Sequence, residues 1–142
     1  MKKNKFRGQV AWNGLHRFKG DWIYGYYVDN LVGNSFIFEV LDEFENIVFN
    51  QVEVIPETVG QFTGLKDKNG NEIYEGDVVK VTDDDGDMDL SDTGIGAIEW
   101  LCKYGFWNIS DIENSLGDIL CVYYVEVIGN IHDNPELLEV VE

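Results

Sequence analysis

The sequence predicts a mainly β fold, on three observations. Short runs rich in aromatic and β-branched residues recur along the chain, several alternating apolar and polar positions as a half-buried strand does. Compact turn signals separate them, most clearly KNGN at residues 68–71 and EGD at residues 75–77. The one helix signal is short and sits near the chain's end. With 142 residues, 44% hydrophobic and 13% aromatic, there is apolar mass for one ordinary domain, or for a small barrel with an N-terminal extension packed on it.

In chain order, the run FRGQVAW (6–12) is followed by the turn signals Asn13-Gly14 and Gly20-Asp21. WIYGYYV (22–28) then places Trp22, Tyr24, Tyr26 and Val28 on one strand face, with Ile23, Gly25 and Tyr27 on the other. So much aromatic surface has to be covered. SFIFEVL (35–41) alternates, with Phe36, Phe38 and Val40 expected inward, and a polar link at 42–46 returns it into IVFNQVEVI (47–55) as a hairpin. Pro56 ends that strand, since it has no amide to donate. The joint between an N-terminal β lobe (1–55) and a C-terminal lobe (56–142) falls at residues 55–59.

Residues 60–81 read as three strands joined by two tight turns. The stretch 82–94, with Asp83, Asp84, Asp85, Asp87, Asp89 and Asp92, is like-charged and has little to bury, so it is expected as a mobile loop. GAIEW (96–100) and FWNI (106–109) flank a second hairpin link, while SDIENSLG (110–117) carries no firm signal. LCVYYVEVIGNI (120–131) reads as one long strand with Cys121, Tyr123, Val125, Val127 and Ile131 toward a core. Asn134-Pro135 then reads as an N-cap and first helical residue opening a short helix at 136–141.

Charge divides the chain sharply. Residues 1–20 hold six cations (Lys2, Lys3, Lys5, Arg7, Arg17, Lys19) and no acid; the remainder holds four cations against 27 acids, or −23, within a total of −17. A body of that sign repels nucleic acid and anionic membrane surfaces, unless the basic N-terminus acts alone. Docking of the basic end onto the acidic body, its own or a neighbour's, is the alternative.

No residue pattern points firmly to catalysis. The two histidines, His16 and His132, lie far apart in sequence, and there is no HExxH motif, no phosphate-cradling glycine loop and no GxGxxG. Asp83, Asp85, Asp87 and Asp89 are weak candidates for a hard cation, because their spacing misfits an EF-hand loop: with Gly86 at the turn glycine, Val81 falls where the first carboxylate is needed. Cys102 and Cys121 match neither a redox pair nor a zinc half-site and are expected as reduced, buried, small hydrophobes. Neither a secretory signal nor a membrane span is expected, and the cytosol is the default location. A possible interaction surface comprises Lys2, Lys3, Lys5, Arg7, Trp22, Tyr24, Tyr26, Asp84 and Asp92.

Four segments together resemble one family: FRG at 6–8, WIYGYYV at 22–28, ETVGQFTGLKDKNGNEIYEGDVV at 57–79 and VIGNIHDNPELL at 127–138. They are similar to the YopX family of small phage and prophage proteins; residues 82–94 depart from the pattern, and nothing is carried over there. The resemblance implies a small Src-homology-3-like barrel in the C-terminal part, a phage or prophage origin, a location in the bacterial host cytoplasm and a homo-oligomer. It implies no activity and no cofactor. The expected function is that of a non-enzymatic accessory protein acting through protein–protein contacts with itself and with an unidentified host or phage protein. The alternatives are an acidic DNA mimic that inhibits a host DNA-binding protein, and a small-barrel nucleic-acid module.

Overall fold

The computed structural model describes residues 6–30, 32–43, 46–84, 86, 93–112 and 114–139; residues 40–43 and 46–49 are described by backbone alone. Lys2, Lys3, Lys5, Asp85, Asp87, Asp89 and Asp92 therefore lie outside the described residues. The chain forms two compact units, Met1–Phe62 and Thr63–Glu142.

The first unit is an antiparallel sheet. Its strands are β1 (Phe6–Gln9), β2 (Trp22–Asp29), β3 (Ser35–Glu43), β4 (Asn46–Val54) and the start of β5 (Gly60–Lys66), in the order β4-β3-β2-β1-β5. Residues 22–25 of β2 pair with β1, and residues 26–29 pair with β3. Gly25 sits at that handover for a steric reason: a Cβ there would lie 2.1 Å from the carbonyl oxygen of Phe38. At the far end, Val10 bridges Val54, Ala11 N donates to Glu53 O (3.0 Å) and Ile55 N donates to Gln9 O (2.8 Å). The end of β1 is thereby tied back to β4. A 3-10 turn at Pro56–Thr58 follows, and Thr58 Oγ1 accepts from Gln9 N (2.8 Å) while donating to Ile55 O (2.6 Å).

The core of this unit is Val10, Ile23, Ile37 and Val54, with Phe6, Tyr27, Val52 and Val59 packed against it. This reverses the expected orientation of β3. Ile37 and Ser35 face inward, and Phe36 and Phe38 are only half-buried; the side chain of Val40 lies outside the description. The cause is Gly25, whose bare backbone lets β3 approach closely on the side of Ile23, so that Ile37 fills the space. Phe38, in register with Tyr26, is left on the opposite face.

The second unit contains the remainder of β5, then β6 (Glu72–Tyr74), β7 (Asp77–Thr82), β8 (Gly94–Leu101), β9 (Phe106–Ile109), the helix α1 (Leu116–Val122), β10 (Tyr124–Asn130) and a 3-10 turn at Pro135–Leu138. β6 lies beside β5, and a separate antiparallel sheet runs β10-β7-β8-β9. Neither sheet closes into a barrel among the described residues.

The three strands and two turns of residues 60–81 form as the sequence predicts. In the first turn the buried Asp67 carboxylate accepts from Asn69 N and Asn71 N, both at 2.9 Å, while Gly70 takes a φ of 83°. Its second oxygen accepts from Val127 N at 2.9 Å, which fastens the turn to β10. In the second turn the Asp77 carboxylate accepts from Tyr74 N at 2.7 Å. Ile73, Val79, Val81, Ile98, Ile109, Ile112, Leu116, Ile119 and Val125 form the core.

Three expectations are corrected in this unit. Residues 120–131 are not one strand: α1 occupies the first part, with Ser115 as its N-cap accepting from Asp118 N (3.3 Å), and β10 begins only at Tyr124. Burial of Leu116 and Ile119, three residues apart, outweighs the strand propensity of the run that follows. Both cysteines are exposed rather than buried, Cys121 on α1 and Cys102 in the turn between β8 and β9. At the C-terminal end Asn134 and Pro135 open a helical turn as expected, but among the described residues it is a 3-10 turn at Pro135–Leu138, and the Asn134 side chain does not cap it: its Oδ1 accepts from Asn130 N (3.3 Å).

Candidate interaction surface

The segment 11–21 links β1 to β2 in the first unit, and its backbone is held by its own hydrogen bonds. Gly14 N donates to Arg17 O (2.8 Å), Lys19 N to Asn13 Oδ1 (2.9 Å), Phe18 N to Asp21 Oδ2 (2.9 Å) and Gly20 N to Val10 O (2.8 Å). The loop is also clamped to β3: Arg17 grips Glu39 through both guanidinium nitrogens, Nη1 at 3.3 Å from Oε2 and Nη2 on Oε1. The hydrogen bond from Arg17 holds the Glu39 carboxyl below its usual range, against the upward push of partial burial. An open cleft of about 620 Å³ lies between residues 14–17 and Asn50–Val52 of β4.

What this ordered loop presents is apolar. Leu15 is 97% exposed, and Trp12 and Phe18 are each 68% exposed. Ordered backbone with uncovered large hydrophobics is the pattern of a surface made to meet something, because solvation of these side chains brings no stability to the monomer. Tyr24, Tyr26 and Val28 of β2 add further exposed apolar surface in the same unit.

The residues expected at an interaction surface are only partly brought together. Tyr24 and Tyr26 are exposed neighbours on one face of β2, and Trp22, at its start, is half-buried. Arg7 is not a surface cation: it is 6% exposed, with its guanidinium carbon 4.5 Å from the centre of the Trp22 ring. Strand alternation puts Arg7 beside Tyr24 in the β1–β2 register. Asp84, exposed, belongs to the second unit, and Asp83 beside it is half-buried. Leu15 and Phe18 were absent from the sequence-predicted surface. The signal that marks them is two large apolar residues inside a segment bracketed by the turn pairs Asn13-Gly14 and Gly20-Asp21.

The second unit has exposed aromatics of its own on the β8–β9 hairpin. Trp100 meets Trp107 edge-on at 5.0 Å, Tyr104 stacks on Phe106 at 5.8 Å, and Lys103 Nζ lies 5.6 Å from the Tyr104 ring centre. Its clefts, of about 520 and 470 Å³, share Lys68, Asp84 and Tyr124. Among the described residues no group of three or more His, Cys, Asp or Glu is placed to hold a metal ion, and no helix is long and apolar enough to cross a membrane. His16 is exposed on the first unit's loop; His132 belongs to a turn of the second, where its amide donates to Asn130 Oδ1 (3.0 Å).

Fold and surface thus define a mainly antiparallel β protein of two units, one of which carries an ordered apolar loop. The family model described as YopX protein matches residues 12–139, and the chain belongs to the YopX family. No curated protein matches the chain. Among solved structures it is similar to protein EF1440 from Enterococcus faecalis, at 25% identity and a TM-score of 0.60, over 96% of this chain and 99% of that one.

Proposed function

We propose that this chain is a non-enzymatic, phage- or prophage-encoded protein of the bacterial cytoplasm that assembles with itself and offers its acidic surface to a host or phage protein. The observation that carries this reading is the ordered loop with Trp12, Leu15 and Phe18 uncovered. Covering each such side chain gives roughly 1.5–3 kcal/mol, so together they supply several kcal/mol against the cost of association.

Salt separates two modes of assembly. Copies carrying −17 each repel one another, so association through the apolar loop strengthens as salt screens that repulsion. Docking of the basic N-terminus onto an acidic body weakens instead. Sedimentation velocity over a concentration series at low and high ionic strength tests the reading, with the triple substitution Trp12→Ser, Leu15→Ser, Phe18→Ser as comparison. The expected result is a concentration-dependent oligomer that strengthens with salt and is lost in the triple variant. A monomer under every condition overturns it.

A further inference from the structure

Leu15 stands at the rim of a cleft in its own unit. The opening, of about 620 Å³, has residues 14–17 of the loop as one wall and Asn50, Gln51 and Val52 of β4 as the other. Val52 is half-buried and packs against the core of Val10, Ile23, Ile37 and Val54, so the apolar lining of the cleft is continuous with the interior behind it. Leu15 itself, 97% exposed, does not cover that lining.

Both walls are fixed before anything docks. Arg17 grips Glu39 of β3 with two nitrogens, and Asn50, opposite Glu39 in the β3–β4 register, hydrogen-bonds to the same carboxyl. One carboxylate therefore holds the loop wall and the strand wall at a set spacing. The turn that carries Leu15 is closed by Gly14 N donating to Arg17 O (2.8 Å). A knob and a hole that are both ordered in advance lose little conformational freedom on association.

Charge and geometry select the occupant. Among the described residues that line the cleft only Arg17 carries a formal charge, and Glu39 neutralises it. Over the whole loop 11–21 and its clamp, Arg17 and Lys19 balance Asp21 and Glu39. Two copies of a chain at −17 repel one another, and a locally neutral patch is where they can touch with no like charges opposed. A basic partner gains nothing electrostatically from such a patch. Knob and hole also lie within a few residues of each other, so a two-fold axis passing beside Leu15 lets each copy fill the other's cleft in a single contact.

We infer that the cleft between residues 14–17 and 50–52 receives Leu15 of a second copy, in an isologous contact where each copy both gives and receives a leucine. The inference rests on the self-assembly proposed above and names the surface that the loop meets. Leu15 is the inserted residue because it belongs to the cleft's own rim; Trp12 and Phe18, on the same loop, add apolar area to the same contact.

The test uses the full chain at high ionic strength, as an equal mixture of isotope-labelled and unlabelled copies, with isotope-filtered nuclear Overhauser spectra that register only contacts between copies. Contacts of the Leu15 methyls with the Val52 methyls of the other copy are expected. Gln51→Arg, at an exposed position of the cleft wall, should raise the dissociation constant measured by sedimentation about tenfold or more, since each pair would then hold two unmatched cations beside buried leucines. Unchanged hydrogen exchange in β1 and β2 shows that this variant keeps its fold. An oligomer that the triple serine variant loses, but whose Leu15 touches none of residues 50–52 across copies, or which Gln51→Arg leaves unweakened, overturns the inference while loop-driven assembly stands. A monomer under every condition overturns both.

Discussion

The two units are built from the same kind of strand but differ in what holds them. The second buries nine residues in one cluster, and its turns are tied by carboxylates that accept backbone amides. In the first the buried cluster among the described residues is four, and large apolar side chains remain outside on the loop and on β2. Interior burial and local turn chemistry hold the second unit, which nonetheless exposes Trp100, Tyr104, Val122 and Tyr124, whereas the first leaves its ordered loop more exposed still, with Leu15 97% uncovered. A unit of that kind is the one to search for partners.

The sharpest way to break this contrast is at Gly25. A Cβ there meets Phe38 O at 2.1 Å and the Phe38 carbonyl carbon at 2.8 Å, so backbone has to move. Gly25→Ala should cost the first unit about 3 kcal/mol or more, at the upper end for overpacking, because no flexible side chain can give way. Hydrogen exchange in β2 and β3 should rise to the unfolded rate while β7 and β10 keep their protection. Loss of protection in both units together would show that they fold as one, and the contrast would fall.

Legibility in the sequence follows the same division. Residues 60–81 were readable because Asn69-Gly70, Glu75-Gly76-Asp77 and their flanking strands are local devices, each decided within a few residues. The β8–β9 hairpin was readable for the same reason. The facing of β3 was not, since it depends on Gly25 in another strand, and alternation alone gives two faces without saying which is inside. The start of α1 carried a usable sign in Ser115 with Asp118 three residues on, but the β-branched and aromatic run behind it argued louder for a strand. Of the candidate surface, Tyr24 and Tyr26 were visible as aromatics. Arg7 was misplaced because its burial beside Trp22 depends on strand register that no single segment reveals.

A smaller effect sharpens the comparison through pH. Burial pushes the Asp67 carboxyl upward, but the amides of Val127, Asn71 and Asn69 outweigh that and hold it below the usual range. A carboxyl depressed in the folded state stabilises above its unfolded pKa of about 3.9, and that contribution is lost as pH falls through the folded value. The second unit should therefore lose protection below roughly pH 4. Asp67→Asn, which keeps an acceptor but no charge, should flatten this dependence and cost about 1–3 kcal/mol at neutral pH, measured by denaturant unfolding. An acid profile unchanged by the substitution would remove Asp67 from its place as the tie between the turn and β10.

The least perturbing test concerns the cysteines. Both are solvent-exposed, Cys102 in a turn and Cys121 on the outer side of α1, so neither contributes core packing. Replacing either with Ser should change stability by no more than about 0.5 kcal/mol. In the native chain both should react with a thiol reagent at rates close to those of the unfolded chain. Their difference lies in what surrounds them: Cys121 is followed by the exposed Val122 and Tyr124, while Cys102 neighbours Lys103 and Tyr104 on the hairpin. If assembly covers only the first unit's loop, both thiols stay reactive in the oligomer. Protection of Cys102 alone on raising protein concentration would put the β8–β9 aromatics into the interface as well, and the contrast between the two units would narrow.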